Sequence, residues 1–218
     1  MRWIAAALLT GALLSPVAYS APLWEGDVCS SKQVEKRNTV PSVVRSPSPS
    51  GSGAVAFIGD SLAYGLAQAS GAQNGGVVGI GLAGKRLRSM VALNQTTLPA
   101  DYQRWLSLSQ GNAAVIIEIG TNDFGYTKPP ESYALLMDRY VLPLHPACLV
   151  LPPPTERRDV MRGIERLTPV MRAWSATHGI RTIDFPQFAH SERAADGIHF
   201  THGGYVHLAQ DIRHQCSL

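Results

Sequence analysis

Apolar residues are grouped differently before and after Ala54. From Ala54 onward, short apolar runs alternate with longer amphipathic stretches. The runs are AVAFIG (54–59), GVVGI (76–80), AAVIIEIG (113–120), ACLVLP (147–152) and IRTIDF (180–185). Three of them are nearly continuous in Val, Ile and Leu, the pattern of strands covered on both faces. Helices are predicted over roughly 61–71, 85–94, 131–142, 157–178 and 202–214. In the fourth, Val160, Ile164, Leu167, Val170, Met171 and Trp174 recur at helical spacing, with Arg158, Arg162, Glu165 and Arg166 between them on a solvated face. Five strands alternating with helices predict a three-layer α/β/α domain of flavodoxin-like type around a five-stranded parallel sheet. No internal repeat is visible.

Upstream the pattern changes. Residues 30–53 are poor in large apolar side chains and end in a Ser/Pro/Gly tract, so 21–53 reads as an extended arm or linker and 54–218 as the folded domain. Residues 1–20 read as an export signal. Met1 and Arg2 supply a positive end, Ile4 to Leu14 is an apolar run, and Ala18-Tyr19-Ser20 places small residues where a signal peptidase reads them. The run falls short of the roughly 20 residues that span a bilayer. No cysteine ends it, which argues against a lipid anchor. The expectation is an exported protein, periplasmic or secreted, with no stable membrane insertion after cleavage.

Export changes the reading of Cys29, Cys148 and Cys216, because an oxidising compartment permits disulfides. Three cysteines allow at most one internal bridge, tying either the N-terminal arm or the C-terminal helix to the core. The pairing stays open. None of the three has metal-ligand spacing, so a structural role is expected.

Length and composition fit this picture. The chain has 218 residues, 45% hydrophobic and 16% charged, enough for one domain with a sizeable core. Collagen-like, wholly disordered and polytopic membrane classes are excluded. Nineteen Lys plus Arg against sixteen Asp plus Glu leave a net charge of +3, too mild for a nucleic-acid binder.

In open α/β sheets, reactive groups collect at the carboxyl ends of the strands. The first predicted strand runs into Gly59-Asp60-Ser61-Leu62, with Ser61 opening a helix. A serine hydroxyl becomes a useful nucleophile only beside a base; alone, Ser61 could equally cap the helix. The third strand ends in Gly120-Thr121-Asn122-Asp123, where Asn122 is either a turn residue or a side-chain N–H donor to a developing oxyanion. After the fifth strand comes Asp196-Gly197-Ile198-His199. That three-residue offset lets a carboxylate reach Nδ1 of the histidine and leaves Nε2 to take a proton from serine. Each feature alone has an ordinary structural explanation, but the three together on matching strand ends point to one site.

The set resembles the SGNH (GDSL) hydrolase family of esterases and lipases, over about residues 54–214. FIGDSLAYG carries the family's first block and implies Ser61 as nucleophile; GTND carries the third and implies Asn122 as an oxyanion-hole donor; DGIHF carries the fifth and implies Asp196 and His199. The glycine of the second block, whose main-chain N–H joins Ser61 and Asn122 in the oxyanion hole, matches best to Gly84 in GLAGKRL, with Gly79 and Gly81 competing. Two departures stand out: a short segment from Ser61 to the second block, and Phe200 after the histidine, where many members have proline or another short residue. The resemblance implies an ester hydrolase working through an acyl-enzyme without metal or cofactor. Short acyl groups are expected, from a glycan or small-molecule ester. A lipase or lysophospholipase acting on a lipid ester, and an acyltransferase using the same triad, are the alternatives.

Three rival constellations are weaker. Gly79 to Gly84 spells GxGxxG, the dinucleotide fingerprint, but its nearest suitable acid, Asp101, does not end a strand-like run. His190, Asp196, His199, His202 and His207 cluster without a metal-binding frame. An α/β-hydrolase elbow would need glycine where Ala63 stands. Lys85, Arg86 and Arg88 are read as a solvated helix turn, or as a border favouring an anionic substrate.

Overall fold

The computed structural model describes residues 42–45, 55–74, 77–81, 100–110, 114–126, 128–185 and 192–218. Six strands form one sheet: β1 (Ser42–Arg45), β2 (Val55–Gly59), β3 (Val77–Gly81), β4 (Ala114–Glu118), β5 (Cys148–Val150) and β6 (Arg181–Ile183). The helices are α1 (Ser61–Asn74), α2 (Ala100–Ser109), α3 (Glu131–Tyr140), α4 (Arg158–Thr177) and α5 (His202–Gln215). Short 3-10 turns cover Thr121–Gly125 and Leu142–Leu144.

The five expected strands are all parallel to their neighbours, in the order β3-β2-β4-β5-β6. This is the flavodoxin-like order, in which the chain reverses its direction of travel across the sheet between β2 and β4. Loops leaving those two strands diverge and open a crevice at their carboxyl ends. Strand β1 extends the sheet: it pairs antiparallel with β3, Val43 opposite Ile80, so part of the segment read as an arm is an edge strand. The export segment and the helix expected over 85–94 lie outside the described residues.

Alternation along the central strands sorts side chains to two faces. Ala56, Ile58, Val115, Ile117 and Leu149 meet α2, α3 and α4 through Tyr102, Trp105, Tyr133, Met137, Leu167 and Trp174. Val55, Phe57, Ile116, Cys148 and Val150 meet α1 and α5 through Leu62, Leu66, Tyr205, Leu208 and Ile212. Two cores on one sheet make three layers. The expected helices other than 85–94 appear within a few residues of their predicted bounds, and α2 is additional. Its mixed stretch ADYQRWLSLS buries Tyr102 and Trp105 on the sheet, with Leu106 and Leu108 packed partly against the same core, and polar residues interrupt any clear period.

Cys148 and Cys216 are disulfide-bonded, joining the start of β5 to the end of α5. Of the pairings left open, the C-terminal helix is the one tied to the core. The bond lies at the amino end of the sheet, opposite the crevice.

Candidate active site

Strand β2 delivers Asp60 and Ser61 to the crevice. At Gly59 an added Cβ would lie 1.6 Å from the main-chain oxygen of Glu118 on β4, so only glycine fits. Asp60 caps α1, its Oδ1 accepting the Leu62 N–H at 2.9 Å. Because Asp60 supplies the cap, Ser61 need not, and its Oγ lies 2.8 Å from His199 Nε2.

The histidine comes from a tight turn before α5. Arg193 and Phe200 face each other across an isolated antiparallel bridge, the Ala194 N–H donates to the His199 carbonyl (2.9 Å), and Gly197 takes φ 68°. Within the turn, Asp196 Oδ1 accepts the main-chain N–H groups of Ile198 and His199, both at 2.9 Å. Its Oδ2 lies 2.5 Å from His199 Nδ1. A carboxylate there fixes the proton on Nδ1 and leaves Nε2 as acceptor for the Ser61 hydroxyl. Burial pushes the Asp196 carboxyl up, but the bond to His199, the histidine's charge and the two main-chain donors outweigh it and hold the group at about 2. Asp196 is therefore ionised wherever an imidazole can act as base. The expected Ser61, His199 and Asp196 thus form one connected chain.

Strand β4 contributes the third wall. Gly120, at φ 116°, lets the chain turn off the strand, and an added Cβ would press to 2.9 Å from Pro152. The 3-10 turn that follows presents Asn122, whose Nδ2 donates to Asp60 Oδ2 at 3.1 Å. One amide hydrogen anchored this way directs the other. Asp123 is buried and accepts the Tyr133 hydroxyl at 3.1 Å.

Beneath these groups Asp60 and Glu118 are both fully buried neighbours, the Asp60 N–H donating to the Glu118 carbonyl at 3.2 Å, and each carboxyl perturbs the other. Burial, then the neighbouring Asp60, pushes Glu118 well above the usual carboxyl range. Asp60 is also raised by burial, though its hydrogen bonds and the His199 charge pull against that rise. Neither residue was singled out from sequence as part of the site. A signal existed, since Glu118 is the one charge in AAVIIEIG. Arg193 was also missed: its guanidinium donates to the carbonyls of Ile198 and Pro154.

Gly84, the expected second-block glycine, lies outside the described residues, as do Lys85, Arg86, Arg88 and His190. Gly79 and Gly81 lie inside β3, opposite Phe57 and Gly59 of β2, rather than in a phosphate-binding turn after the strand. Asp101 lies in the first turn of α2. Both placements count against the dinucleotide reading. His199 is engaged by Ser61 and Asp196, His202 opens α5, and His207 pairs with Glu192 at 2.8 Å. Among the described residues, no group of three or more His, Cys, Asp or Glu side chains is placed to hold a metal. No described helix is long and apolar enough to cross a membrane.

A serine bonded to a histidine, itself bonded to a carboxylate, on the carboxyl ends of a flavodoxin-like sheet defines the class of SGNH-type serine hydrolases. The chain matches the GDSL-like lipase/acylhydrolase family over residues 57–207, and it belongs to that family of ester-bond hydrolases. Solved structures agree in fold. The aryl esterase of M. smegmatis is 22% identical, with a TM-score of 0.55, over 76% of this chain and 99% of its own. Est24, a carbohydrate acetylesterase from Sinorhizobium meliloti, is 18% identical with a TM-score of 0.55 over the same shares. A member of the lipolytic G-D-S-L family from Veillonella parvula is 14% identical with a TM-score of 0.51, over 72% of this chain and 96% of its own. No curated protein matches the chain in sequence.

Proposed function

We propose that the protein is an exported serine esterase that removes short acyl groups, acetyl above all, from a glycan or small-molecule ester. The observation that carries the chemistry is the unbroken chain from Ser61 Oγ through His199 to Asp196. Ser61 Oγ attacks the ester carbonyl as His199 Nε2 takes its proton, and Asp196 balances the imidazolium that forms. The carbonyl oxygen becomes an oxyanion held by the Asn122 amide and by the main-chain N–H groups of Ser61 and Gly84. As the tetrahedral species collapses, His199 returns the proton to the departing alkoxide, giving the free alcohol and an acyl-serine. Water, deprotonated by the same imidazole, then releases the carboxylic acid and restores the serine.

The preference for short acyl groups rests on the short sequence segment between Ser61 and the second block, which is expected to leave less wall beside the nucleophile. The carbohydrate acetylesterase among the structural neighbours is in keeping with it. Export is supported by the leader-like first twenty residues and by the Cys148–Cys216 bond, since disulfides persist in oxidising compartments.

Hydrolysis of a p-nitrophenyl ester series from C2 to C16, by mature protein beside Ser61→Ala, tests the reading. Turnover greatest at C2 and lost in the variant is expected. A maximum at long chains would replace the short-acyl preference with a lipase. Activity only when a sugar hydroxyl is supplied as acceptor would indicate an acyltransferase.

A further inference from the structure

Glu118 ends a strand whose other residues, Ala114 to Ile117, are all apolar and buried, and its side chain is itself fully buried. An unpaired carboxylate there would be strongly disfavoured. Its Oε1 accepts the Thr121 hydroxyl at 3.3 Å and the Ala63 N–H faces the carboxyl, whereas Oε2 has no hydrogen-bond partner among the described residues. The neighbouring carboxyl is that of Asp60, whose main-chain N–H donates to the Glu118 carbonyl at 3.2 Å, and there both side-chain oxygens already accept: Oδ1 from Leu62 N–H and Oδ2 from Asn122 Nδ2. Two fully buried carboxyls side by side do not both ionise, so the pair retains a proton. Asp60, with a donor on each oxygen, is the ionised member. The proton therefore belongs to Glu118, which donates it to Asp60.

We propose that Glu118 is a positioning residue for ester hydrolysis: as a buried carboxylic acid it donates a hydrogen bond to Asp60, and Asp60 in turn fixes the Asn122 amide and the turn that presents Ser61. This rests on the serine-esterase reading above. The arrangement aligns the parts of the site from below. A single negative charge is held on Asp60, with acceptor geometry set by Leu62 on one side and Glu118 on the other. Asn122 is oriented by that charge before substrate arrives, so the donor need not reorganise as the oxyanion forms. The other ionisable groups facing the pair are His199 from the turn before α5, and Asp123 with its partner Tyr133 from the end of β4 and from α3.

The test compares Glu118→Gln with Glu118→Met in the mature protein. An amide keeps an acceptor for Thr121 and a donor for Asp60; the thioether has similar length and no donor. Glu118→Gln should keep ester turnover, and the rate at which a fluorophosphonate labels Ser61, within about threefold. Glu118→Met should lower both by about 10–10²-fold with KM little changed, since orientation rather than binding is lost. In the Met background, Asn122→Ala should cost far less than in the wild type, because with Asp60 no longer held from below the amide it removes is already misaligned. Equal losses in the Gln and Met variants, or an undiminished Asn122→Ala cost, would overturn the proposal. Infrared difference spectra of wild type minus Glu118→Gln at neutral pH should contain a protonated carboxyl C=O band; its absence would also overturn it, even if the Met variant fails to fold. Should no ester be turned over, the esterase reading fails, while fluorophosphonate labelling and the infrared band still decide the role of Glu118.

Discussion

The guanidinium of Arg193 lies 4.4 Å above the ring of Phe200, the residue that follows the histidine of the site. Phe200 is buried, stacked 5.5 Å from Phe185 and edge-on to Tyr205 of α5. The aromatic side chain that departs from the family pattern is therefore a core anchor and a platform for an arginine. From that platform Arg193 bridges the Ile198 and Pro154 carbonyls, tying the His199 turn to the chain that follows β5.

Arg193 should therefore matter to turnover without touching substrate. Arg193→Met removes both carbonyl bonds and frees the turn to shift; displacement near 1 Å can cost as much as about 10²-fold in rate. Turnover should fall about 10–10²-fold. Arg193→Lys should recover little, because a lysine cannot fork between two carbonyls. Wild-type kcat in a folded Met variant would show that the turn holds itself.

Asp196 sets a pH dependence whose sign follows from its low titration. Its carboxyl is held at about 2 in the fold against an ordinary 3.8, so it favours the folded state above about 4 and loses that contribution as pH falls towards about 2. Asp196→Asn should lower stability by a constant amount above pH 4, the gap narrowing only below it. The activity loss should be roughly 10⁴-fold, because the amide would donate to Nδ1 and force the proton onto Nε2. Urea midpoints from pH 2 to 8 and ester turnover check both halves. A stability gap that opens on acidification would contradict the sign.

Much of this arrangement was legible in the sequence, for a physical reason. Strands buried on both faces must be continuously apolar, so β2, β4 and β5 announce themselves, and strand order puts their carboxyl ends together. Ser61 and Asn122 stand within a few residues of such runs, and the Asp196/His199 pair follows the last strand after a further stretch of chain. Strand β1 was not legible because SVVR is short and lies in a polar, proline-containing stretch of sequence. Asp60 is not legible as a site residue because an acid before a helix is commonly just a cap. Here it caps the helix and also holds Asn122. Arg193 acts through carbonyls far away in sequence, which no local pattern encodes.

The Cys148–Cys216 bond should contribute stability and leave turnover alone. It closes a loop with a sequence separation of 68, for which chain entropy gives about 4 kcal/mol, with about 2–4 typical in practice. It also lies at the end of the sheet opposite His199. Cys148→Ala with Cys216→Ala should lower unfolding free energy by about 2–4 kcal/mol. Denaturant titration measures that loss, and kcat at a temperature where both proteins are folded should differ by less than about twofold, as expected for a change remote from the reacting atoms. A large kcat loss at full folding would mean that the far end of α5 controls the His199 turn.

Asn122 is the sharpest test of the oxyanion assignment, because its two amide hydrogens have separate duties. One is given to Asp60 Oδ2, and in the proposed mechanism the other is directed to where the ester oxygen gains charge. Asn122→Ala removes both, and losing one such donor typically costs roughly 10²–10³ in turnover. Asn122 is only partly buried and its backbone lies in a turn, so the fold should survive. Asn122→Asp is the informative companion. It keeps the shape but sets a third carboxyl against the Asp60–Glu118 pair, so it must take up a proton or repel Asp60. Its turnover should fall at least as far as that of Asn122→Ala, with partial recovery at acidic pH as the new carboxyl protonates and regains a donor. A loss below about twofold in Asn122→Ala, with Ser61 still labelled by a fluorophosphonate at the wild-type rate, would mean that main-chain N–H groups alone hold the oxyanion.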